Sequence, residues 1–350
     1  MNGELPPLAP APVPAVPPRP PREADPDAAR AAPGTAFDLG MSPGEARVLV
    51  IPVPWEATVS GGTGTVDGPR AALAASEEMD LHDPAAGEAW RCGIAALPEP
   101  GGLRERSGAA LALAARAREG DRTAARRVDA LAAGVVDWVA DAVDRTLASG
   151  RVPLVLGGEH GLSPGAHRAA AAHAPGLGIL HVDAHADLRD SYEGMRFSHA
   201  SALARTLELP GVARLVQVGL RDVAPAEVRA ARAAGDRVAW FDDDTIGRRT
   251  LAGEPFLEIA REVVGALPGT VWVSLDVDGL DPALCPGTGT PVPGGLSFRE
   301  ISCLLGEISR SGRRLLGADV VEVGPGPADG RVAARLLYRL AGWATAARNR

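Results

Sequence analysis

The chain has 350 residues, 46% of them hydrophobic and 23% charged, a balance that fits one large globular α/β domain. A net charge of −8 excludes general nucleic-acid binding, which needs a clustered basic surface. The sequence holds no lysine, so a lysine Schiff base and a phosphate loop ending in Gly-Lys-Ser/Thr are both excluded.

Taken in chain order, residues 1–45 are rich in proline, which lacks a backbone donor and resists helix and sheet alike. A disordered extension is expected there, followed by a catalytic domain over 46–350. No charged start with an apolar core and no run of about 18 apolar residues is present, so neither a signal peptide nor a membrane span is expected. Cys92, Cys285 and Cys303 are far apart, which predicts free thiols in a reducing, cytoplasmic setting.

Short apolar runs follow at 46–53, 152–156, 177–182, 215–218, 271–275 and 315–323, with a weaker one at 238–241. Their Val and Leu content predicts parallel strands covered on both faces. The Gly-rich stretch Ser60–Thr65 reads as a flexible loop. Helical spacing marks 126–149, with Gly150 as its stop, and also 225–234, 255–266, 297–311 and 329–346. Ser297 and Glu300 fit a capping box. Strands alternating with helices imply a parallel sheet between helical layers, and ligands of such sheets bind beyond the carboxyl ends of the strands.

The polar residues of interest lie at those ends. They are Gly157-Gly158-Glu159-His160, His181-Val182-Asp183-Ala184-His185-Ala186-Asp187, and Ser274-Leu275-Asp276-Val277-Asp278-Gly279. Residues two apart on a strand share a face, so Asp183 can converge with His185 and Asp276 with Asp278. Clustered buried carboxylates repel one another, and two divalent cations would balance the four charges of Asp183, Asp187, Asp276 and Asp278. His160 and His185 add neutral nitrogens. A carboxylate-rich set with no thiolate suits Mn²⁺, and a paired site lowers the pKa of a shared water. Glu159 is expected to orient its neighbours, His181 to sit in the core or support a ligand, and Asp281-Pro282 to shape a turn.

These clusters resemble the ureohydrolases, the family of arginases and agmatinases, and Gly68-Pro69-Arg70, Pro286–Gly289 and Gly294-Gly295-Leu296 also look like family elements. The resemblance implies a three-layer α/β/α sandwich with a mainly parallel eight-stranded sheet, assembled as trimers or hexamers. It implies one manganese held by His160, Asp183, Asp187 and Asp276, and another held by Asp183, His185, Asp276 and Asp278. His199, in Arg196–Ala200, would be a proton-shuttling histidine, and Asp278 a second proton carrier. Glu322, after Val320-Val321, would grip a guanidinium. The family's common Gly-Gly-Asp-His-Ser is here changed at two positions, to Glu159 and Gly161, and Gly324-Pro325 follows where Asn-Pro is common.

The implied reaction is hydrolysis of a small guanidino compound to urea and an amine, agmatine first, with a place in polyamine biosynthesis. Acidic Asp190 and Glu193 favour a cationic tail. Arg196 favours a guanidino acid such as 4-guanidinobutyrate. Three other classes are weighed. A zinc deacetylase of related architecture would not need the second carboxylate pair. A non-catalytic metal-binding relative is opposed by the presence of all six ligands and both accessory residues, and a nucleotide-binding α/β protein lacks its phosphate signature.

Overall fold

The computed structural model describes residues 7–18 and 34–346. Eight strands form one sheet: β1 (Val48–Val53), β2 (Ile94–Ala96), β3 (Val152–Gly157), β4 (Leu177–Val182), β5 (Val212–Leu220), β6 (Val238–Asp242), β7 (Thr270–Asp276) and β8 (Arg314–Val321). Their spatial order is β2-β1-β3-β8-β7-β4-β5-β6, and every pairing is parallel. The helices are α1 (Gly68–Ser76), α2 (Leu103–Arg118), α3 (Arg122–Ala148), α4 (Ser163–His173), α5 (Ala202–Leu207), α6 (Pro225–Ala233), α7 (Asp243–Leu251), α8 (Phe256–Gly265), α9 (Phe298–Arg310) and α10 (Pro327–Ala346). They flank the sheet and give the α/β/α architecture expected.

The burial of the strands explains their sequences. Every residue of β1, β3 and β4 is buried, as continuous apolar runs between helical layers require. Edge strand β6 is only partly covered, and its run is correspondingly the weaker one. The three-residue β2 at the other edge and the helices α1, α2, α4, α5 and α7 were not among the sequence expectations. Much of α1, α2 and α4 is alanine, which buries well but leaves little hydrophobic periodicity to read. The α9 capping box is present: Ser297 Oγ accepts from Glu300 N, and Glu300 returns the bond to Ser297 N.

The chain lays down β1 and β3, leaps across the sheet to β4, builds outward through β5 and β6, and returns to fill the gap with β7 and β8. The central neighbours β3, β8, β7 and β4 thus come from distant parts of the sequence. Their carboxyl ends lie side by side. That is where such folds bind ligands.

Part of the extension expected to be disordered packs on this body. Ala11 and Val13 are buried, Trp138 Nε1 donates to Ala9 O at 2.7 Å, and Arg145 donates to Ala11 O at 2.7 Å. Arg151, fully buried, donates to Val16 O at 2.7 Å, Gly44 O at 3.0 Å and Ala46 O at 3.0 Å. Prolines leave carbonyls unpaired, and buried arginines and a tryptophan supply the donors. The rest of residues 1–45 lies outside the described residues. Arg151→Met is expected to lower stability by about 2–3 kcal/mol, as loss of charged hydrogen bonds to buried carbonyls does. A shifted urea midpoint and faster proteolysis of residues 7–18 would show it; an unchanged midpoint would refute it.

Candidate metal centre

His160 follows β3 in a 3-10 turn, where its ring is completely buried. Its Nε2 lies 2.9 Å from Ser274 Oγ. Its Nδ1 has no hydrogen-bond partner, yet Asp187 Oδ2, Asp183 Oδ2 and Asp276 Oδ2 lie 3.1, 3.2 and 3.5 Å away. A buried, unpartnered imidazole nitrogen among three carboxylate oxygens is a donor set compatible with a divalent cation.

A second cluster adjoins the first. His185 Nδ1 lies 3.0 Å from Asp278 Oδ2 and 3.4 Å from Asp183 Oδ1. Asp183 therefore presents one oxygen to each cluster: the ligand atoms of His160, His181, Asp183 and Asp187 lie within 4.8 Å of one another, as do those of Asp183, His185 and Asp278, and Asp276 joins through His160. Asp276 faces His160 through Oδ2, while its Oδ1 accepts from Asp278 N at 2.8 Å. The six residues expected as ligands converge.

The reason for convergence differs from the strand alternation expected. β4 ends at Val182 and β7 at Asp276, so His185 and Asp278 lie beyond the strands. Each strand-end aspartate instead accepts the N–H two residues on: His185 N to Asp183 Oδ1 at 2.6 Å, and Asp278 N to Asp276 Oδ1 at 2.8 Å. These Asx turns curl both loops back over the sheet. Asp187 and Glu322 sit at φ of 53° and 56°, a left-handed conformation that non-glycine residues rarely adopt outside functional sites.

The charges of the cluster are compatible with a site for cations. Burial and the neighbouring carboxylates push Asp276 well above the usual carboxylate range, and Asp187 to about 7. Burial opposes charge on His185, but Asp183 and Asp278 outweigh it and raise the imidazole to about 12.

Other polar residues hold this cluster. His181 Nε2 is 2.9 Å from Asp183 Oδ2, and its Nδ1 is 2.9 Å from Gln217 Nε2, so both ring nitrogens are engaged. Asp319 accepts from Ser163 and Ser274 at 2.7 Å and from Trp272 at 2.5 Å, and lies 3.2 Å from His167 Nε2. Gln217 and Asp319 went unnoticed in the sequence and Ser274 was given no role there, although a polar residue inside a buried apolar strand is itself a signal.

Above the cluster opens a cleft of about 510 Å³ whose lining includes Ser60, His185, Tyr192, His199, Asp222 and Thr290. His199 lies between Thr58 Oγ1, 3.0 Å from Nδ1, and Ser60 Oγ, 2.9 Å from Nε2. Desolvation and the nearby His185 and His160 hold its pKa below the ordinary histidine value. Glu322 is buried, and its Oε1 accepts from His160 N at 2.8 Å.

Three residues weighed for substrate recognition are engaged elsewhere. Arg196 pairs with Glu208 at 2.8 Å and Asp190 at 3.3 Å, Asp190 also with Arg205 at 2.9 Å, and Glu193 with Arg118 at 2.5 Å. Asp222, absent from the sequence candidates, is 71% exposed at the cleft, with His185 Nε2 3.9 Å away.

The Arginase family model matches residues 46–343. The chain belongs to the arginase family. It is similar to an N(1)-aminopropylagmatine ureohydrolase of Thermus thermophilus, 37% identical over 80% of this chain and 84% of the relative. An agmatinase of Bacillus anthracis is also 37% identical, over 54% of this chain and 61% of the relative. The fold superposes on the agmatine ureohydrolase of Thermoplasma volcanium with a TM-score of 0.66 at 25% identity, covering 85% of this chain and 90% of that one. For the arginase of Bacillus subtilis the TM-score is 0.64 at 25% identity, covering 85% and 98%. This arginase-family chain is a metal-dependent amidinohydrolase, and its His/Asp cluster is compatible with a metal site.

Proposed function

We propose that the chain hydrolyses agmatine, or agmatine extended at its amino end, to urea and the corresponding amine, with two Mn²⁺ at the Asp183-centred cluster. The observation that carries this reading is the pair of donor groups sharing Asp183 at the ends of the central strands. His160, Asp183, Asp187 and Asp276 would hold one ion, and Asp183, His185, Asp276 and Asp278 the other. When bound, the two ions supply an activated water and stabilise negative charge.

The chain's own groups do the rest. Glu322 holds the guanidinium through charge-assisted hydrogen bonds and fixes its plane against the cleft floor. Thr290 Oγ1 and Ala184 N fix the Asp278 carboxylate, at 3.1 and 3.0 Å. Asp278 takes the proton released as the carbon–oxygen bond forms, and His199 delivers one to the departing amine nitrogen. Urea and the amine then leave through the open cleft.

The tail is read from charge. With Asp190, Glu193 and Arg196 paired off, Asp222 faces an amine-bearing tail at the mouth, and the name of the Thermus relative points to a longer polyamine tail. Arg189, stacked 5.1 Å from the Tyr192 ring and loosely paired with Glu227 at 3.8 Å in the same cleft, favours a second reading with a carboxylate tail, as in 4-guanidinobutyrate. The reading extends to a homo-oligomer, trimer or hexamer, acting in the cytoplasm in polyamine biosynthesis, with 46–350 as the catalytic domain. It rests on the family resemblance; among the described residues no helix is long and apolar enough to cross a membrane.

Urea release with Mn²⁺ should be measured on agmatine, N1-aminopropylagmatine, 4-guanidinobutyrate and arginine, before and after chelation. The amines are expected to be the best substrates, and chelation to stop turnover. Asp222→Asn is expected to raise KM about fivefold for amines and not for 4-guanidinobutyrate, as loss of a partly exposed ion pair does. No urea from any guanidine would overturn the reading.

A further inference from the structure

The two departures from the family's Gly-Gly-Asp-His-Ser pattern, Glu159 and Gly161, are neighbours in space. Glu159 is fully buried, and its carboxylate receives four hydrogen bonds. Oε2 accepts from Thr58 N at 2.7 Å and Ala57 N at 2.8 Å; Oε1 accepts from Trp55 Nε1 at 3.0 Å and Thr58 Oγ1 at 3.2 Å. Three of those donors are N–H groups, which cannot reverse, so both carboxyl oxygens act as acceptors. A β-carbon at position 161 would lie 3.2 Å from Glu159 Oε1, 3.2 Å from His199 N and 3.0 Å from the Ser198 carbonyl carbon. The absent side chain gives room to the longer carboxylate and to the backbone that carries His199.

Thr58 joins the two. Its hydroxyl has one proton. With both Glu159 oxygens accepting from N–H groups, that proton points at Oε1, and the Thr58 oxygen is left to accept. It accepts from His199 N at 3.1 Å and faces His199 Nδ1 at 3.0 Å. An oxygen whose own proton is committed can pair with Nδ1 only if Nδ1 carries a hydrogen. The imidazole proton then stays on Nδ1. Nε2, beside Ser60 at the cleft, is the nitrogen that gains and loses one.

We propose that Glu159 and Gly161 act as one unit that holds Thr58 against His199, fixes that ring in its Nδ1–H tautomer and presents Nε2 to the reacting groups. Glu159 and Thr58 are positioning residues; neither touches substrate. The proposal rests on the reading of His199 as the proton carrier in guanidine hydrolysis.

The test compares Thr58→Val with Thr58→Ser in the full chain loaded with manganese. Thr58→Val is expected to lower kcat about 10- to 100-fold, the lower part of the range for a misplaced general acid, with KM and bound manganese within about twofold of the parent. Thr58→Ser, which keeps the hydroxyl, should restore most of the loss. Gly161→Ser should lower kcat as well, and adding Glu159→Asp should recover it, because the shorter carboxylate vacates the space the serine needs. An unchanged kcat in Thr58→Val, or a double variant no better than Gly161→Ser alone, overturns the proposal. Imidazole ¹⁵N NMR on the chain loaded with diamagnetic Mg²⁺, with His199→Asn to assign the signal, reads the tautomer directly. A protonated Nδ1 in the parent that is lost in Thr58→Val supports the unit, and a protonated Nε2 in the parent refutes it. If the parent releases no urea, the functional reading fails, while the NMR result still decides the positioning claim.

Discussion

Asp183→Ala is expected to reduce urea release by more than about 100-fold, beyond the loss typical of an outer-shell partner, and to lower bound manganese from two ions per chain to one or fewer. Asp183 is the residue on which both donor groups depend. Its Oδ2 lies 3.2 Å from His160 Nδ1 and 2.9 Å from His181 Nε2, and its Oδ1 lies 3.4 Å from His185 Nδ1 and accepts from His185 N at 2.6 Å. Truncation removes a shared ligand and releases the turn that aims His185. Metal content by atomic emission and urea release should be measured together, with circular dichroism to show that the sheet persists. Two bound ions and activity near the parent's would refute the bridging role.

The second large effect is expected at Glu322. Glu322→Gln keeps an oxygen to accept from His160 N, a bond of 2.8 Å in the parent, but removes the negative charge. Burial and the nearby Glu159 push this carboxyl well above its usual range, a position that a bound guanidinium cation would reverse. Each charge-assisted hydrogen bond contributes about 1.5–3 kcal/mol against about 0.5–1.5 kcal/mol for a neutral one, so losing the charge on two of them costs about 2–3 kcal/mol and should lower kcat/KM by about 30- to 160-fold. Bound manganese should not change. Steady-state kinetics on agmatine beside a metal assay separates this from damage to the cluster; a kcat/KM within threefold of the parent's would remove Glu322 from guanidinium binding.

The two effects differ in what they leave behind. Loss of Asp183 should take metal and turnover together, whereas loss of the Glu322 charge should leave the metal in place. That contrast assigns each residue its part without a liganded structure.

Much of this was legible in the sequence because the relevant physics is local. Buried parallel strands must be apolar on both faces, so β1, β3, β4, β7 and β8 appear as runs of Val, Leu and Ile. The chemistry sits directly after those runs, and Ser297 and Glu300 mark the start of α9 three residues apart. The alanine-rich helices were not legible, since a helix whose buried face is mostly alanine resembles its exposed face. The proline-rich segment over 7–18 misled for a related reason: its composition reports low intrinsic order but not the donors of Trp138, Arg145 and Arg151 that meet its carbonyls.

The sequence by itself determined the ligand-type residues, the strands that end beside them and the class of chemistry, because each is a property of a few consecutive residues. Only the tertiary structure decided which charges remain available. It set Arg196, Asp190 and Glu193 into ion pairs, left Asp222 at the cleft, and brought Thr58 from 101 residues away to Glu159 and from 141 away to His199. Electrostatic interactions and hydrogen bonds act across space, and separation along the chain carries no record of which groups folding will pair.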